Sequence, residues 1–240
     1  MLKMSVSWKT CQTAIAVAFT ILAFAGCDKS NPVSAEDTYQ QANLMPIAVG
    51  RIWVFTTYSL DTTSSQKILS SVHREASFVA QATTIAGKSC YLMLDSIYTP
   101  SNALSRVDSS YLAVENGDLL QWNRDYSQWF TLVKRSAGLN TQYSVGQYQE
   151  VQNGAPVSAV FKGIVTAPEQ IAVPFGNIQA YKAEIQVSAT VGGVSYGTQV
   201  ADFYFSDGLG PVRTYNPVQF EMGTTRKIQG EESLLVSKNF

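Results

Sequence analysis

The sequence predicts an all-β protein in which one antiparallel meander forms a strongly curved sheet, a half-barrel or an open barrel. Apolar and polar residues alternate with a period of two along most of the chain after Arg51, which is the pattern of half-buried strands. Short turn signals rich in Gly and Asn separate these segments, and short connections favour antiparallel neighbours. No long amphipathic helix pattern follows residue 27.

The chain begins with the pattern of a bacterial secretion signal. Lys3 and Lys9 precede an apolar segment at residues 14–24, and two small residues stand directly before Cys27. Residues 22–27 resemble the lipobox, with Phe24 where Leu is usual. This resemblance implies that residues 1–26 are a lipoprotein signal peptide and that Cys27 becomes an acylated, palmitate-bearing N-terminus. An ordinary cleaved signal is the alternative, whereas a membrane span needs about 20 apolar residues.

The next segment is polar and differs from the rest of the chain. Residues 27–44 contain Pro32 and lack apolar periodicity, so we predict a flexible tether that reaches up to about 55 Å when fully extended. Residues 45–240 are predicted to form a single all-β domain. Within it, the polar, Gly-containing residues 138–156 are the best candidate for a boundary between lobes.

The strands of this domain are predicted in order from their alternation and from the turn residues between them. The predicted segments are residues 52–60, 67–84, 89–98, 105–114, 119–125, 129–134, 157–166, 179–191, 194–205, 212–215, 219–229 and 233–237. The clearest is 179–191, where odd-numbered residues from Tyr181 to Val191 are apolar and the even-numbered ones between them are polar. Gly192 and Gly193 then predict a hairpin turn.

Composition excludes several classes of function. Without Lys3 and Lys9, 15 of the 17 basic residues remain against 18 acidic ones, a net charge of −3. No basic stripe is visible, so we expect no nucleic-acid partner. His73 is the one histidine, on the polar face of a predicted strand, and Cys90 is expected to be a small buried apolar residue. We therefore predict no metal site, no cofactor and no catalytic residues.

Three short patterns resemble a broad group of bacterial lipoproteins, most of which have no assigned activity. Residues 45–55 are similar to the group's Pro-x-x-x-Gly-x-x-Trp-x-Tyr/Phe opening, with Pro46, Gly50, Trp53 and Phe55 at the motif positions. Residues 173–183 resemble its Val-Pro-x-Gly segment, and residues 205–212 resemble its Gly-x-Gly-x-Val step. The resemblance implies a curved antiparallel sheet, similar to the half-barrel of lipoprotein carriers, and it implies no functional residue.

Aromatic residues are plentiful in this sequence and are the remaining candidates for a functional surface. Trp122, Tyr126, Trp129 and Phe130 are grouped on two adjoining predicted strands, and Tyr204 belongs to a second group. Packing between strands explains them; a concave aromatic surface that binds an apolar ligand or a glycan is the alternative. On this second interpretation these five are the predicted ligand-binding residues.

The function predicted is therefore that of a non-enzymatic, membrane-anchored envelope lipoprotein that binds a hydrophobic ligand or an envelope protein. We expect it at the outer membrane, facing the periplasm or the cell surface, held there by its N-terminal lipid. A purely structural or surface-interaction lipoprotein is the alternative. An enzyme acting on glycans through carboxylates is a third reading. The carboxylates at 202 and 207 and those at 231 and 232 are more simply explained as turn and strand-end residues.

Overall fold

The computed structural model describes residues 34–152, 154–220 and 227–240, and residues 33–240 form one compact unit. The signal sequence and Cys27 lie outside the described residues. Among the residues described, no helix is both long and apolar enough to cross a membrane.

The described elements are a short N-terminal helix, two turns of 3₁₀ helix and a series of β-strands. In chain order they are α1 (Ala35–Gln41), β1 (Ile52–Ser59), a 3₁₀ turn (Leu69–Ser71), β2 (His73–Ile85), β3 (Lys88–Tyr98), β4 (Leu104–Glu115), β5 (Asp118–Asn123), β6 (Gln128–Val133), a 3₁₀ turn (Arg135–Ala137), β7 (Gln142–Gln152), β8 (Ala155–Val165), β9 (Glu169–Val173), β10 (Gly176–Val191), β11 (Val194–Ser206), β12 (Gly210–Asn216), β13 (Gln219–Phe220), β14 (Lys227–Ile228) and β15 (Glu231–Lys238).

The strands form a nearly closed antiparallel barrel with one unsealed seam. The order around the barrel is β6-β5-β4-β3-β2-β1-β15-β12-β11-β10-β8-β7. The first meander is β1 to β6, the second runs from β7 to β12, and β15 is inserted between β1 and β12. The predicted fold class is confirmed. The single meander is in fact two, because the last strand pairs with the first.

The clearest sequence prediction is confirmed in β10. Tyr181, Ala183 and Ile185 are buried in the core, and the residues between them are half-buried. Gly192 and Gly193 have φ values of +57° and +85°, and positive φ at both central positions is what a two-residue type I′ hairpin requires.

The lobe boundary predicted at residues 138–156 is wrong, because β7 occupies most of this segment and pairs with β8 along its length. Tyr143 and Val145 are buried whereas Gln142 and Ser144 are exposed. The alternation of buried and exposed residues in β7 is therefore present but short. Polar outward-facing residues and Gly146 make up most of the segment, so its composition resembles that of a loop. Strand β9, which pairs with the beginning of β10, was not predicted.

The flexible tether predicted at residues 27–44 is wrong for residues 34–44, which belong to the folded unit; residues 27–33 lie outside the described residues. Ser34 begins α1 with a capping box: its Oγ accepts a bond from Asp37 N at 3.0 Å, and the Asp37 carboxylate accepts one from Ser34 N at 3.3 Å. Tyr39 is fully buried and Leu44 is 5% exposed. Two large side chains therefore anchor a segment whose composition is polar.

Candidate functional site

The barrel encloses a cavity of about 280 Å³. Side chains from both meanders and from β15 form its wall, so it lies inside the rolled sheet. The apolar part of the wall comprises Met45, Trp53, Phe55, Met93, Leu112, Leu119, Leu132, Phe203, Phe205 and Pro211. The polar part of the wall comprises Glu75, Ser77, Asp95, Ser110, Gln121, Thr214, Asn216, Glu231 and Ser233. The cavity thus combines apolar surface with polar groups, as small-molecule sites do. We call this space the central cavity.

A second cavity of about 250 Å³ adjoins the central cavity. The two share Leu132 and Phe203 as wall residues. The second cavity is lined further by apolar side chains of β6, β7, β8, β10 and β11, which include Phe130, Val145 and Phe161. The interior therefore extends from the middle of the barrel to the place where β6 lies beside β7.

One end of the barrel is plugged by α1 and the residues that follow it. Asn43 N donates to Asp207 Oδ1 at 2.7 Å, and Gly208 N donates to Asn43 O at 3.0 Å. Trp53, fully buried, donates from Nε1 to Leu209 O at 2.6 Å. These contacts join the segment before β1 to the turn between β11 and β12.

Gly210 explains why two of the sequence motifs accompany each other. Its φ is +85°, and a Cβ there would lie 3.0 Å from Trp53 Nε1 and 3.3 Å from Pro46 Cδ. A side chain at this position would therefore be strained and would also displace the tryptophan. The opening motif and the Gly-x-Gly step thus form one contact at the plugged end.

The opposite end is polar and open, and we call it the mouth. A cavity of about 410 Å³ lies there, with His73, Arg106 and Asp108 in its wall. Glu75 and Asp95 line both this cavity and the central one, as does Glu231. Apolar surface thus meets carboxylates where the interior opens.

The side chains of Glu75 and Asp95 are half-buried. Burial raises the pKa of Glu75, and the neighbouring charge of Asp95 raises it further, although a bond from Thr57 Oγ1 at 3.2 Å opposes this. Burial also raises the pKa of Asp95, which accepts a bond from Ser77 Oγ at 2.5 Å. Both groups therefore favour the neutral form more than an exposed carboxyl does.

The predicted ligand-binding residues do not form one surface. Phe130 lines the second cavity. Trp122 and Trp129 are cross-strand partners whose rings lie 5.4 Å apart at 62°, and Trp129 packs against a small cluster of Cys90, Ala113 and Leu120 separate from the main core. Their strand positions alternate with those of Gln121 and Phe130, which line the cavities.

Tyr126 and Tyr204 also lie apart from the cavity walls. Tyr126 stacks on Tyr148 of β7, with ring centroids 3.8 Å apart. Tyr204 is buried on the face of β11 opposite Phe203 and Phe205, with Arg213 4.9 Å from its ring centroid. Aromatic composition identified the strands correctly but not which face of each strand lines the interior.

Other sequence predictions have mixed outcomes. Cys90 is buried, as predicted, and burial raises the pKa of its thiol. His73 is half-buried at the mouth instead of solvated. Asp207 accepts its bond at the plugged end, and Asp202 lies 3.9 Å from Lys182 Nζ. In the part of the chain that is described, no group of three His, Cys, Asp or Glu side chains has the arrangement of a metal site.

Sequence reasoning missed Glu75 and Asp95. Both strands carried a usable signal, because Glu75 is in phase with Ser77 and Val79, and Val79 is fully buried. A carboxylate in phase with core residues is a candidate for a functional position. The same reasoning applies to Asp95, two residues after the buried Met93.

Comparisons with known proteins show the fold alone. A candidate lipoprotein from Parabacteroides distasonis superposes with a TM-score of 0.51 at 13% sequence identity, over 82% of this chain and 99% of the other. A candidate exported protein with a YmcC-like fold from Bacteroides fragilis gives a TM-score of 0.45 at 10% identity, over 83% and 100% of the two chains. No family model matches the sequence, and no curated protein matches it.

Proposed function

We propose that this protein is a membrane-anchored envelope lipoprotein whose barrel binds a hydrophobic or amphiphilic ligand in its interior. The observation that carries the proposal is the central cavity, which has both apolar and polar wall residues and adjoins a second, mostly apolar cavity. Close-packed interiors normally leave few voids larger than a water molecule. Space of this size with apolar and polar wall residues is suited to an amphiphilic guest.

The proposed lipid anchor supports this function because it would hold the barrel at a membrane. Acylated Cys27 would hold the protein at a source of apolar molecules, in the outer membrane facing the periplasm or the cell surface. The similarity in fold to a candidate lipoprotein is in keeping with this location.

The first experiment tests for the ligand. The chain from residue 28 contains the whole compact unit, and it is exported with a cleavable signal, purified without detergent, and analysed by native mass spectrometry and organic extraction. We expect a co-purifying amphiphile in less than stoichiometric amount. A clean ligand-free mass, together with no thermal stabilisation by a panel of lipids, would overturn the proposal.

Two matched substitutions place the ligand inside the barrel. Leu112 lines the central cavity and Leu120 belongs to the separate cluster, yet both are 8% exposed. We expect Leu112→Trp to fill the cavity and abolish ligand retention, and Leu120→Trp to leave it intact. Ser110→Phe, which enters the same cavity from a half-buried position, serves if Leu112→Trp fails to fold.

The anchor requires its own test. Metabolic labelling with a fatty-acid analogue should label the wild-type chain and leave Cys27→Ser unlabelled and uncleaved. Equal labelling of the two proteins would show that Cys27 is not the acylated residue.

A surface-interaction role without ligand is the second candidate. The observation in its favour is the Trp122–Trp129 pair beside Tyr111, whose ring lies 5.2 Å from the Arg124 guanidinium. Aromatic residues and arginine are enriched at the centres of protein interfaces. Under this reading Trp122→Ala reduces the binding of an envelope partner and leaves the lipid content unchanged.

An enzyme acting on glycans is the third candidate. The observation in its favour is that Glu75 and Asp95 both face the interior at the mouth, since pairs of carboxyl groups carry out glycoside hydrolysis. Hydrolysis of envelope glycans that is lost in Asp95→Asn would identify this activity.

A further inference from the structure

The seam between β6 and β7 is closed without a backbone ladder. In the described residues, every other pair of neighbours around the barrel is joined by registered backbone pairs, and these two strands are not. Tyr143 Oη donates to Leu132 O at 2.6 Å, and Gln128 Nε2 donates to Gln147 O at 2.6 Å. Burial raises the pKa of Tyr143, so its hydroxyl remains a donor. Side chains therefore span the place where backbone bonds would otherwise lie.

Aromatic rings fill the remaining space along the seam. Tyr126 and Tyr148 stack with ring centroids 3.8 Å apart and an interplanar angle of 11°. Phe130 crosses the seam and rests on Gly146, where an added Cβ would lie 2.7 Å from the ring. Side chains change rotamer faster than strands exchange pairing partners, so this closure opens more easily than a paired one.

The seam leads directly into the interior. Phe130 and Leu132 of β6 and Val145 of β7 form part of the wall of the second cavity, and Leu132 also lines the central cavity. Movement of these side chains is therefore sufficient to connect the apolar interior with the surroundings. No paired strand has to separate.

The two other routes are less suited to an apolar ligand. The plugged end is occupied by α1, with Tyr39 fully buried. At the mouth a ligand passes Glu75, Asp95 and Glu231. An apolar group in that passage displaces the water that the half-buried carboxylates of Glu75 and Asp95 retain, and charged groups are costly to desolvate. Along the seam the same group meets aromatic rings, with which it packs.

We propose that the β6–β7 seam is the portal through which the amphiphile enters and leaves the barrel. The proposal rests on the proposed binding function and adds its route of exchange. The side-chain bonds of Tyr143 and Gln128 hold the portal shut between exchange events, and the stacked Tyr126 and Tyr148 form its outer cover.

The experiment locks the seam covalently. In the chain from residue 28, a ruthenium photosensitiser with persulfate as the electron acceptor oxidises Tyr126 and Tyr148 to tyrosyl radicals, with loss of one electron and one proton from each. The radicals couple into dityrosine, and peptide mapping identifies the link. Uptake and release of the apolar fluorophore 1-N-phenylnaphthylamine are then followed by stopped-flow fluorescence. We expect both rates to fall at least tenfold in the locked protein, with the equilibrium dissociation constant unchanged. Tyr148→Phe, treated in the same way, cannot form the link and should keep the unlocked rates.

Two variants separate the seam from the mouth. Ile97 lies in the wall of the mouth, and Ile97→Trp narrows that opening; we expect unchanged uptake. Tyr143→Phe removes the bond to Leu132 O and should accelerate exchange about fivefold, the change that corresponds to one net hydrogen bond. Slower uptake in Ile97→Trp, or equal rates in the locked and unlocked proteins, would overturn the portal alone. Absence of fluorophore binding in every protein would instead remove the proposed binding function, and the portal with it.

Discussion

Strand β15 joins the two meanders through backbone pairs on both of its edges, whereas β6 and β7 meet through side chains. The β15 closure runs from Trp53 to Ser59 on one side and from Arg213 to Asn216 on the other. Backbone pairs depend weakly on which side chains are present, while the seam depends on Tyr143, Gln128 and Phe130 in particular. The barrel therefore has one closure suited to stability and one suited to exchange.

Side-chain contacts strengthen the β15 closure further. Thr57 Oγ1 and Ser233 Oγ lie 2.9 Å apart across it. Glu232 is 6% exposed and lies 3.0 Å from Lys67 Nζ and 2.8 Å from Arg213 Nε. The Arg213 Nε–H group is not oriented for a hydrogen bond, so its contact with Glu232 is a charge pair. Removing either cation would leave the buried Glu232 carboxylate less well paired and would therefore destabilise the folded protein.

Removal of α1 should have the largest effect, because the helix and the residues that follow it contact both meanders at the plugged end. Gln40 Nε2 donates to Arg135 O beside the seam, and Asn43 N donates to Asp207 in the other meander. We expect the chain from residue 45 to lose at least about 4 kcal/mol of unfolding free energy relative to the chain from residue 34, the scale of deleting a large buried side chain. Urea unfolding measures this. Tyr39→Ala should reproduce most of the loss, and the exposed Gln41→Ala should not.

Leu235→Ala tests the paired closure. Leu235 is fully buried in β15, and its neighbour Val236 is 37% exposed. We expect Leu235→Ala to cost about 3 kcal/mol and Val236→Ala less than about 0.5 kcal/mol, as measured by denaturant unfolding. Similar losses for the two would show that β15 is not the stabilising closure.

Gly146→Ala tests the seam. The added methyl group meets the Phe130 ring, so we expect a loss of about 1–3 kcal/mol from overpacking. Phe130→Leu creates space for the added methyl group. The double variant should therefore lose less unfolding free energy than the two single variants lose together, by at least about 0.5 kcal/mol. Thermal and urea unfolding of the four proteins complete this cycle. Strict additivity would mean that Phe130 and Gly146 do not meet.

Glu75→Gln should have the smallest effect and a defined pH dependence. The raised pKa of Glu75 means that the folded state keeps this proton to a higher pH than the unfolded chain does. Stability is therefore lost as pH rises from the unfolded value of about 4.3 through the folded pKa. We expect Glu75→Gln to have a higher melting temperature at pH 7, with a difference that disappears below about pH 4. The exposed Glu169→Gln is the matched control, and a pH-independent difference would contradict the prediction.

Strand positions and the hairpin turns followed from local pattern. The alternation from Tyr181 to Val191 predicted β10, and Gly192 and Gly193 predicted its turn, because both signals depend on residues that are neighbours in sequence. The β7 strand and α1 were missed for the same reason. Both segments are mostly polar, and only a few buried side chains hold them in the fold: Tyr143 and Val145 in β7, and Tyr39 in α1.

The candidate site depended on pairings that the sequence does not display. Alternation divides each strand into two faces, which places the sequence neighbours Trp129 and Phe130 on opposite sides of the sheet. Which side becomes the interior was decided by the direction in which the sheet curls. The sheet closes through the pairing of β15 with both β1 and β12, and the Thr57–Ser233 contact across this closure joins residues more than 170 positions apart. By itself the sequence therefore determined a β-rich chain with most of its strands and turns, because these depend on local backbone preferences. The tertiary structure alone decided that Glu75 and Asp95 line the mouth and that the seam is closed by side chains, because these follow from long-range pairing.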